Sequence, residues 1–218
     1  MAERIGVLGG TFNPVHRGHV ELGRHLLAAF GLARVLYVLS ALPPHKRLQR
    51  LPSVDLRWRM LELALRPFAG LEPCDVEIRR VGPSWTVDTL AELQRAYPRG
   101  RLFFICGSEG FLRIQTWKVY RRVLEAACFI VVLREARHER PLRELLAEIA
   151  VPAAESAPPG APLPAPPLVF LHRADSETLA ISSTAVRKRV RRAGIAGIDG
   201  WVSPEVARII EENRLYEN

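Results

Sequence analysis

Residues 9–19 read Gly9-Gly10-Thr11-Phe12-Asn13-Pro14-Val15-His16-Arg17-Gly18-His19, directly after the apolar run Ile5-Gly6-Val7-Leu8. Two glycines at the end of a strand let the backbone approach a ligand closely. Thr11 and Asn13 add a hydroxyl and an amide, and a helix begins near His16. The first N–H groups of a helix lack intrahelical partners and carry partial positive charge, so phosphate is favoured there. His16 and His19, three apart, point to the same side of that first turn. Together these residues predict a cradle for a polyphosphate. The His16-x-x-His19 spacing also suits a metal pair, but no cysteine or acidic residue nearby completes a tetrahedral set.

A second cluster, Ile181-Ser182-Ser183-Thr184-Ala185-Val186-Arg187, sits at another expected helix start. Its hydroxyl groups and unpaired N–H groups suit phosphate oxygens. Arg187 lies one turn beyond Ser183 and reaches the same anion as a forked donor. Plain helix capping is the alternative for this segment taken alone.

These residues need elements to hold them. Arg4–Leu8 and Val35–Leu39 read as strands, with Leu22, Leu26, Leu27 and Phe30 forming a helical apolar stripe between them, stopped by Gly31. Ser53 caps a helix through Met60 and Ala64 that ends at Pro67. Val76–Ile78 reads as a short strand, Thr86–Tyr97 as a helix, Leu102–Cys106 as a buried strand, Lys118–Glu125 as a helix and Cys128–Leu133 as another buried strand. Leu168–Leu171 is the last strand, before helices near Ser183–Arg192 and Pro204–Asn213. The alternation predicts an α/β chain: a Rossmann-like doubly wound parallel sheet with helices on both faces, in a single domain over residues 1–218 that ends in helices. Ligands then bind beyond the carboxyl ends of the strands, where Gly9-Gly10 and Gly107 lie. Residues 152–167 contain seven prolines and read as a surface insertion.

The chain has 218 residues, 48% hydrophobic and 25% charged, an ordinary globular balance. No apolar run approaches the roughly 20 residues of a membrane helix. The start, Met1-Ala2-Glu3-Arg4 and then a strand, shows no signal peptide. Cys74, Cys106 and Cys128 are far apart and odd in number, which predicts free thiols in a reducing cytoplasm. The net charge of +8 draws heavily on Arg187-Lys188-Arg189-Val190-Arg191-Arg192. A solvated helix face accounts for that run, since no aromatic residues interleave it as nucleic-acid binding would require. Neither a nucleic acid nor a membrane is expected as a partner, and a homo-oligomer is left open.

The opening loop resembles the "HIGH-like" signature of nucleotidyltransferases. Residues 181–187 resemble the Ile-Ser-Ser-Thr-x-x-Arg signature of bacterial nicotinate mononucleotide adenylyltransferases, and the likeness extends along most of the chain. Pro43-Pro44-His45-Lys46 resembles that family's Pro-Pro-His-Lys loop. Ser84-Trp85-Thr86-Val87-Asp88-Thr89-Leu90 is similar to its Ser-Tyr-Thr-x-Asp-Thr-Leu segment, and Gly107-Ser108-Glu109 to its Gly-Ala-Asp turn. Trp117 matches a tryptophan that lies against the pyridine ring, and Arg134 an arginine near the adenine.

The resemblance implies transfer of AMP from ATP to nicotinate mononucleotide, giving deamido-NAD and pyrophosphate. It implies that His16, His19 and Lys46 act on the phosphates. ATP would be held by Gly9, Gly10, Thr11, Phe12, His16, His19, Gly107, Glu109, Arg134, Ile181, Ser182, Ser183, Thr184 and Arg187. The mononucleotide would be held by Asn13, His45, Lys46, Trp85, Thr86 and Trp117. Mg2+ would arrive on the triphosphate. The sequence departs from the family pattern in four places. Asn13 replaces aspartate, Trp85 replaces tyrosine, Ser108-Glu109 replaces Ala-Asp, and the Pro-Gly after Arg134 is missing, with Leu39 and Leu42 also differing. The alternatives are a different acceptor (nicotinamide mononucleotide or phosphopantetheine), a weakened paralogue, and a non-catalytic nucleic-acid binder.

Overall fold

The structure, a computed structural model, describes residues 3–42, 51–156, 162, 165–173 and 180–217. Seven strands form one parallel sheet: β1 (Glu3–Gly10), β2 (Arg34–Leu39), β3 (Leu71–Cys74), β4 (Gly100–Gly107), β5 (Cys128–Leu133), β6 (Ala153–Ala154) and β7 (Val169–Arg173). Their spatial order is β3-β2-β1-β4-β5-β7-β6. The chain runs outward from β1 in one direction, then returns to its other side with β4, so the switch point lies between β1 and β4. Loops leaving these two strands diverge there and open a crevice.

Because both faces are covered, the central strands carry near-continuous apolar runs, and β5 is apolar at every position. In β5, Cys128, Ile130 and Val132 pack on one face while Phe129, Val131 and Leu133 pack on the other. The first face carries helices α1 (Arg17–Phe30), α2 (Val54–Leu65), α7 (Ser183–Ala193) and α8 (Pro204–Glu212). The second carries α3 (Thr86–Ala96), α4 (Ser108–Phe111), α5 (Tyr120–Ala126) and α6 (Glu139–Glu148). The doubly wound architecture expected from the sequence is therefore the one observed.

Several elements differ from expectation. Val76–Ile78 is not a strand but a turn, in which the Asp75 carbonyl accepts from the N–H groups of Ile78 and Arg79. The strand lies earlier, at Leu71–Cys74, and holds Pro73. A proline is tolerated there because β3 is an edge strand. Helix α6 escaped the sequence reading; it buries only Leu142, Leu145 and Leu146 and is otherwise charged. The proline-rich stretch also begins with a short edge strand, β6, on β7.

One contact sets how α1 meets the sheet. Tyr37 on β2 is fully buried, and its hydroxyl donates to the His19 carbonyl at 2.8 Å. Gly23, one turn later on α1, makes room for it, since a Cβ there would overlap the Tyr37 hydroxyl. The glycine thus lets the first turn of α1 be tied down by a side chain from the core. Gly23→Ala should lower stability by about 2–3 kcal/mol in urea denaturation, through overpacking plus the lost hydrogen bond. Adding Tyr37→Phe should recover part of that loss, because it removes the overlapping oxygen. A neutral Gly23→Ala, or losses that simply add, would contradict this packing.

Candidate active site

A cavity of about 540 Å³ opens at the switch point. The carboxyl ends of β1 and β4 form its floor, through Gly9, Gly10 and Thr11 on one side and Ile105, Cys106 and Gly107 on the other. His19 and Arg134 add polar walls, and Trp85, Thr86 and Trp117 close a further side. Nine residues implied by the resemblance thus meet in one space. His45 and Lys46 lie outside the described residues.

In the loop after β1, three carbonyls are held by side chains from distant segments. Arg57 donates to the Thr11 carbonyl at 3.1 Å, Arg187 to the Asn13 carbonyl at 2.7 Å and the Ser183 hydroxyl to the Pro14 carbonyl at 2.9 Å. Phe12 takes a left-handed backbone, φ 42°, and tucks its ring against His19 and Tyr37. Left-handed φ costs free energy for a non-glycine residue, and here the packing around the ring sustains it. That ring also explains Gly10, because a Cβ there would come within 3.0 Å of it.

His16 caps the N-terminus of α1 and His19 follows in its first turn, with the two rings stacked at 3.7 Å. The His16 N–H donates to Nδ1 of His19 at 3.3 Å, which places the His19 ring proton on Nε2. His19 therefore presents a donor, as the spacing suggested. His16 differs: it is buried at 3% exposure, and its Nδ1 has no partner among the described residues. Burial, with a smaller push from the Arg134 charge, lowers its pKa to about 3. It is a neutral ring behind His19, not a positive charge.

Several of the expected residues lie outside the cavity lining. Phe12 and Asn13 are buried and outside the cavity lining. Phe12 supports the loop from below. Asn13 accepts from the Tyr216 hydroxyl at 2.7 Å, so its amide anchors the C-terminal segment. Ser182 caps α7 by accepting from the Ala185 N–H. Arg187 also bonds the Thr184 hydroxyl, and Ile181 packs on the core. The hydroxyl of Ser183 and the guanidinium of Arg187 thus bond the backbone of the loop after β1. Glu109 is exposed and outside the lining, and acts on Arg134 through its charge. The hydroxyl of Ser108 pairs with His138 Nδ1 at 2.9 Å, tying α4 to the exit of β5.

At the other side of the cavity, Trp85 is the N-cap of α3 and makes no side-chain cap. The first N–H groups of that helix thus lack the usual hydroxyl acceptor, beside Thr86, which suits an anion. Trp117 meets Phe104 edge to face at 5.8 Å, and Lys118 lies 5.3 Å from the Trp85 ring. Ser40, Glu77, Thr89 and Lys118 also line the cavity and were not singled out from the sequence. Among the described residues no group of three or more His, Cys, Asp and Glu is placed to hold a metal ion.

The neutral state of His16 has a measurable consequence. Its folded pKa lies below the unfolded value of about 6.5, so as pH falls below about 6.5 only the unfolded chain takes up this proton. Stability is then lost progressively between about 6.5 and 3. His16→Gln removes that contribution. Between pH 7.5 and 5, wild type should lose about 2 kcal/mol more than the variant in chemical denaturation. An equal loss in both would show that His16 titrates normally.

The profile of the cytidylyltransferase-like family matches residues 7–189. A "Probable nicotinate-nucleotide adenylyltransferase" of Desulfitobacterium hafniense (strain Y51) is 37% identical over 98% of this chain and 96% of its own length. One of the same name from Desulfatibacillum aliphaticivorans is 36% identical over 98% and 99%. Among solved structures, the Plasmodium falciparum nicotinic acid mononucleotide adenylyltransferase complexed with NaAD shares the fold. Its TM-score is 0.74 at 17% identity, over 99% of this chain and 98% of that one. With a family profile spanning most of its length and relatives above 35% identity from end to end, the chain belongs to the cytidylyltransferase-like family and, within it, to the nicotinate-nucleotide adenylyltransferases.

Proposed function

We propose that this chain transfers AMP from ATP to nicotinate mononucleotide, releasing pyrophosphate and forming nicotinate adenine dinucleotide for NAD biosynthesis. One observation carries the reading. A single cavity joins a glycine loop with three carbonyls held by side chains from distant segments to an uncapped helix start flanked by two indoles. The first suits the triphosphate, the second a carboxylated aromatic ring.

The phosphate of the mononucleotide is already an anionic nucleophile at neutral pH. One of its oxygens forms a bond to the α-phosphorus of ATP, and the bond from that phosphorus to the bridging oxygen of the β-phosphate breaks. Pyrophosphate leaves with the electron pair, and no proton has to be removed first. The protein's contribution is in-line placement and stabilisation of the spreading negative charge. His19 donates from Nε2 to the phosphates, with neutral His16 stacked behind it. Gly9, Gly10 and Thr11 bring backbone against them, and Lys46 adds a cation. Gly107, Glu109 and Arg134 take the adenosine. Residues 182–184 contribute backbone N–H groups at the start of α7. Trp85, Thr86 and Trp117 take the nicotinate. Magnesium would arrive on the triphosphate of ATP and would supply neutralisation of its charge, with no protein residue assigned to hold it.

Pyrophosphate release from ATP, measured with nicotinate mononucleotide, nicotinamide mononucleotide and phosphopantetheine in turn, tests the reading. Nicotinate mononucleotide should be the best acceptor. His19→Ala should lower kcat roughly 10²–10³-fold, the usual loss of one oriented donor. His25→Ala, on the same helix but paired with His172 outside the cavity, should leave it within about twofold. A stronger response to either other acceptor, or a folded His19→Ala with near wild-type turnover, would count against it.

A further inference from the structure

We propose that Arg57 is a positioning residue that holds the phosphate loop and the start of α3 in one frame, so that the two substrates meet in line. The proposal rests on the adenylyl-transfer reading above. Arg57 lies on the buried face of α2 with Met60, Leu61 and Ala64, and is 2% exposed. Among the described residues no carboxylate pairs with it. A buried cation is tolerated only when fully hydrogen-bonded, and here backbone carbonyls do that work. Arg57 Nε donates to Pro52 at 3.2 Å, one terminal nitrogen to Thr11 at 3.1 Å and Ser40 at 2.8 Å, and the other to Ala41 at 3.4 Å. One planar fork thereby joins the loop after β1, the exit of β2 and the lead-in to α2.

The connection continues beyond the guanidinium. A peptide group is planar and trans, so its C=O and N–H point in opposite directions. The peptide whose carbonyl faces Arg57 at Ala41 offers its N–H, that of Leu42, to the Ser84 hydroxyl at 3.3 Å. The Ser84 N–H returns to the Leu42 carbonyl at 3.1 Å. Ser84 leads directly into Trp85 and Thr86 at the start of α3. A continuous hydrogen-bonded path thus runs from Thr11 through Arg57 and Leu42 to Ser84. Thr11, Ser40, Ser84 and Thr86 all line the same cavity, at the phosphate side and at the pyridine side. Lysine keeps the charge but lacks the rigid fork needed to bond carbonyls in three segments.

Arg57→Lys should lower kcat about 10–100-fold, the scale on which small misplacements of reacting groups act. Calorimetric affinities for ATP and for nicotinate mononucleotide, each measured alone, should stay within about threefold, because each subsite survives while their mutual placement does not. Ser84→Ala, which cuts the far end of the path, should lower kcat about 3–10-fold on its own and add nothing in the Arg57→Lys background. A Lys variant with wild-type kcat, or variants whose effects multiply, would overturn the coupling. If Arg57→Lys does not fold, an unchanged kcat in Ser84→Ala overturns it alone. Absence of turnover in wild type would contradict the adenylyl-transfer reading itself, before any variant is compared.

Discussion

A loop that is to receive a polyphosphate cannot point carbonyl oxygens at it, and every chain segment carries as many carbonyls as it has residues. The rest of this site depends on how that constraint is met. Three carbonyls of the loop, those of Thr11, Asn13 and Pro14, are bonded by Arg57, Arg187 and Ser183 respectively. The His16 carbonyl enters α1 as its first acceptor. Two of the three donors come from α7, at the far end of the sequence, and one from α2. Side chains that the sequence suggests as phosphate ligands thus bond the backbone of this loop.

The electrostatics follow from the same arrangement. His16 lies where a charge would be costly, so it remains neutral and serves as a platform for His19, whose tautomer it fixes through its own N–H. The cationic side chains of the cavity lining are Arg113, Arg134, with Glu109 nearby, and Lys118, which pairs with Asp88. Tyr37 and Gly23 hold the first turn of α1 against β2, so the imidazole pair is set by the core itself. Tyr216 closes the structure from the C-terminus by bonding Asn13. An amide oxygen accepts this hydroxyl without the cost of burying a carboxylate, which gives the asparagine a purpose the sequence did not reveal.

Much of the fold was legible because its signals are local. Cys128–Leu133 is apolar at every position and is a strand with those bounds; Ser53 and Ser182 cap the helices that follow them. Helix α6 was missed because three leucines in a charged segment give a thin stripe. Val76–Ile78 looked like a strand from its two β-branched residues, yet the sheet takes the proline-bearing segment before it. In the site, glycines, imidazoles and indoles were readable by type, and most of them line the cavity. The bracing contacts were not, since a backbone carbonyl has no signature in sequence and Tyr216 lies 203 residues from Asn13. Arg57 left one clue, an arginine on the apolar face of a helix.

The most direct measurement is a crystal structure of the chain with nicotinate adenine dinucleotide bound. Expected is the dinucleotide across the β1–β4 crevice, its pyrophosphate against the Gly9–Thr11 backbone and His19 Nε2, and its nicotinate carboxylate at the α3 N-terminus between Trp85 and Trp117. The carbonyls of Thr11, Asn13 and Pro14 should remain on Arg57, Arg187 and Ser183. A pyrophosphate held by the side chains of Ser183 and Arg187, with those carbonyls released, would contradict the backbone-bracing account.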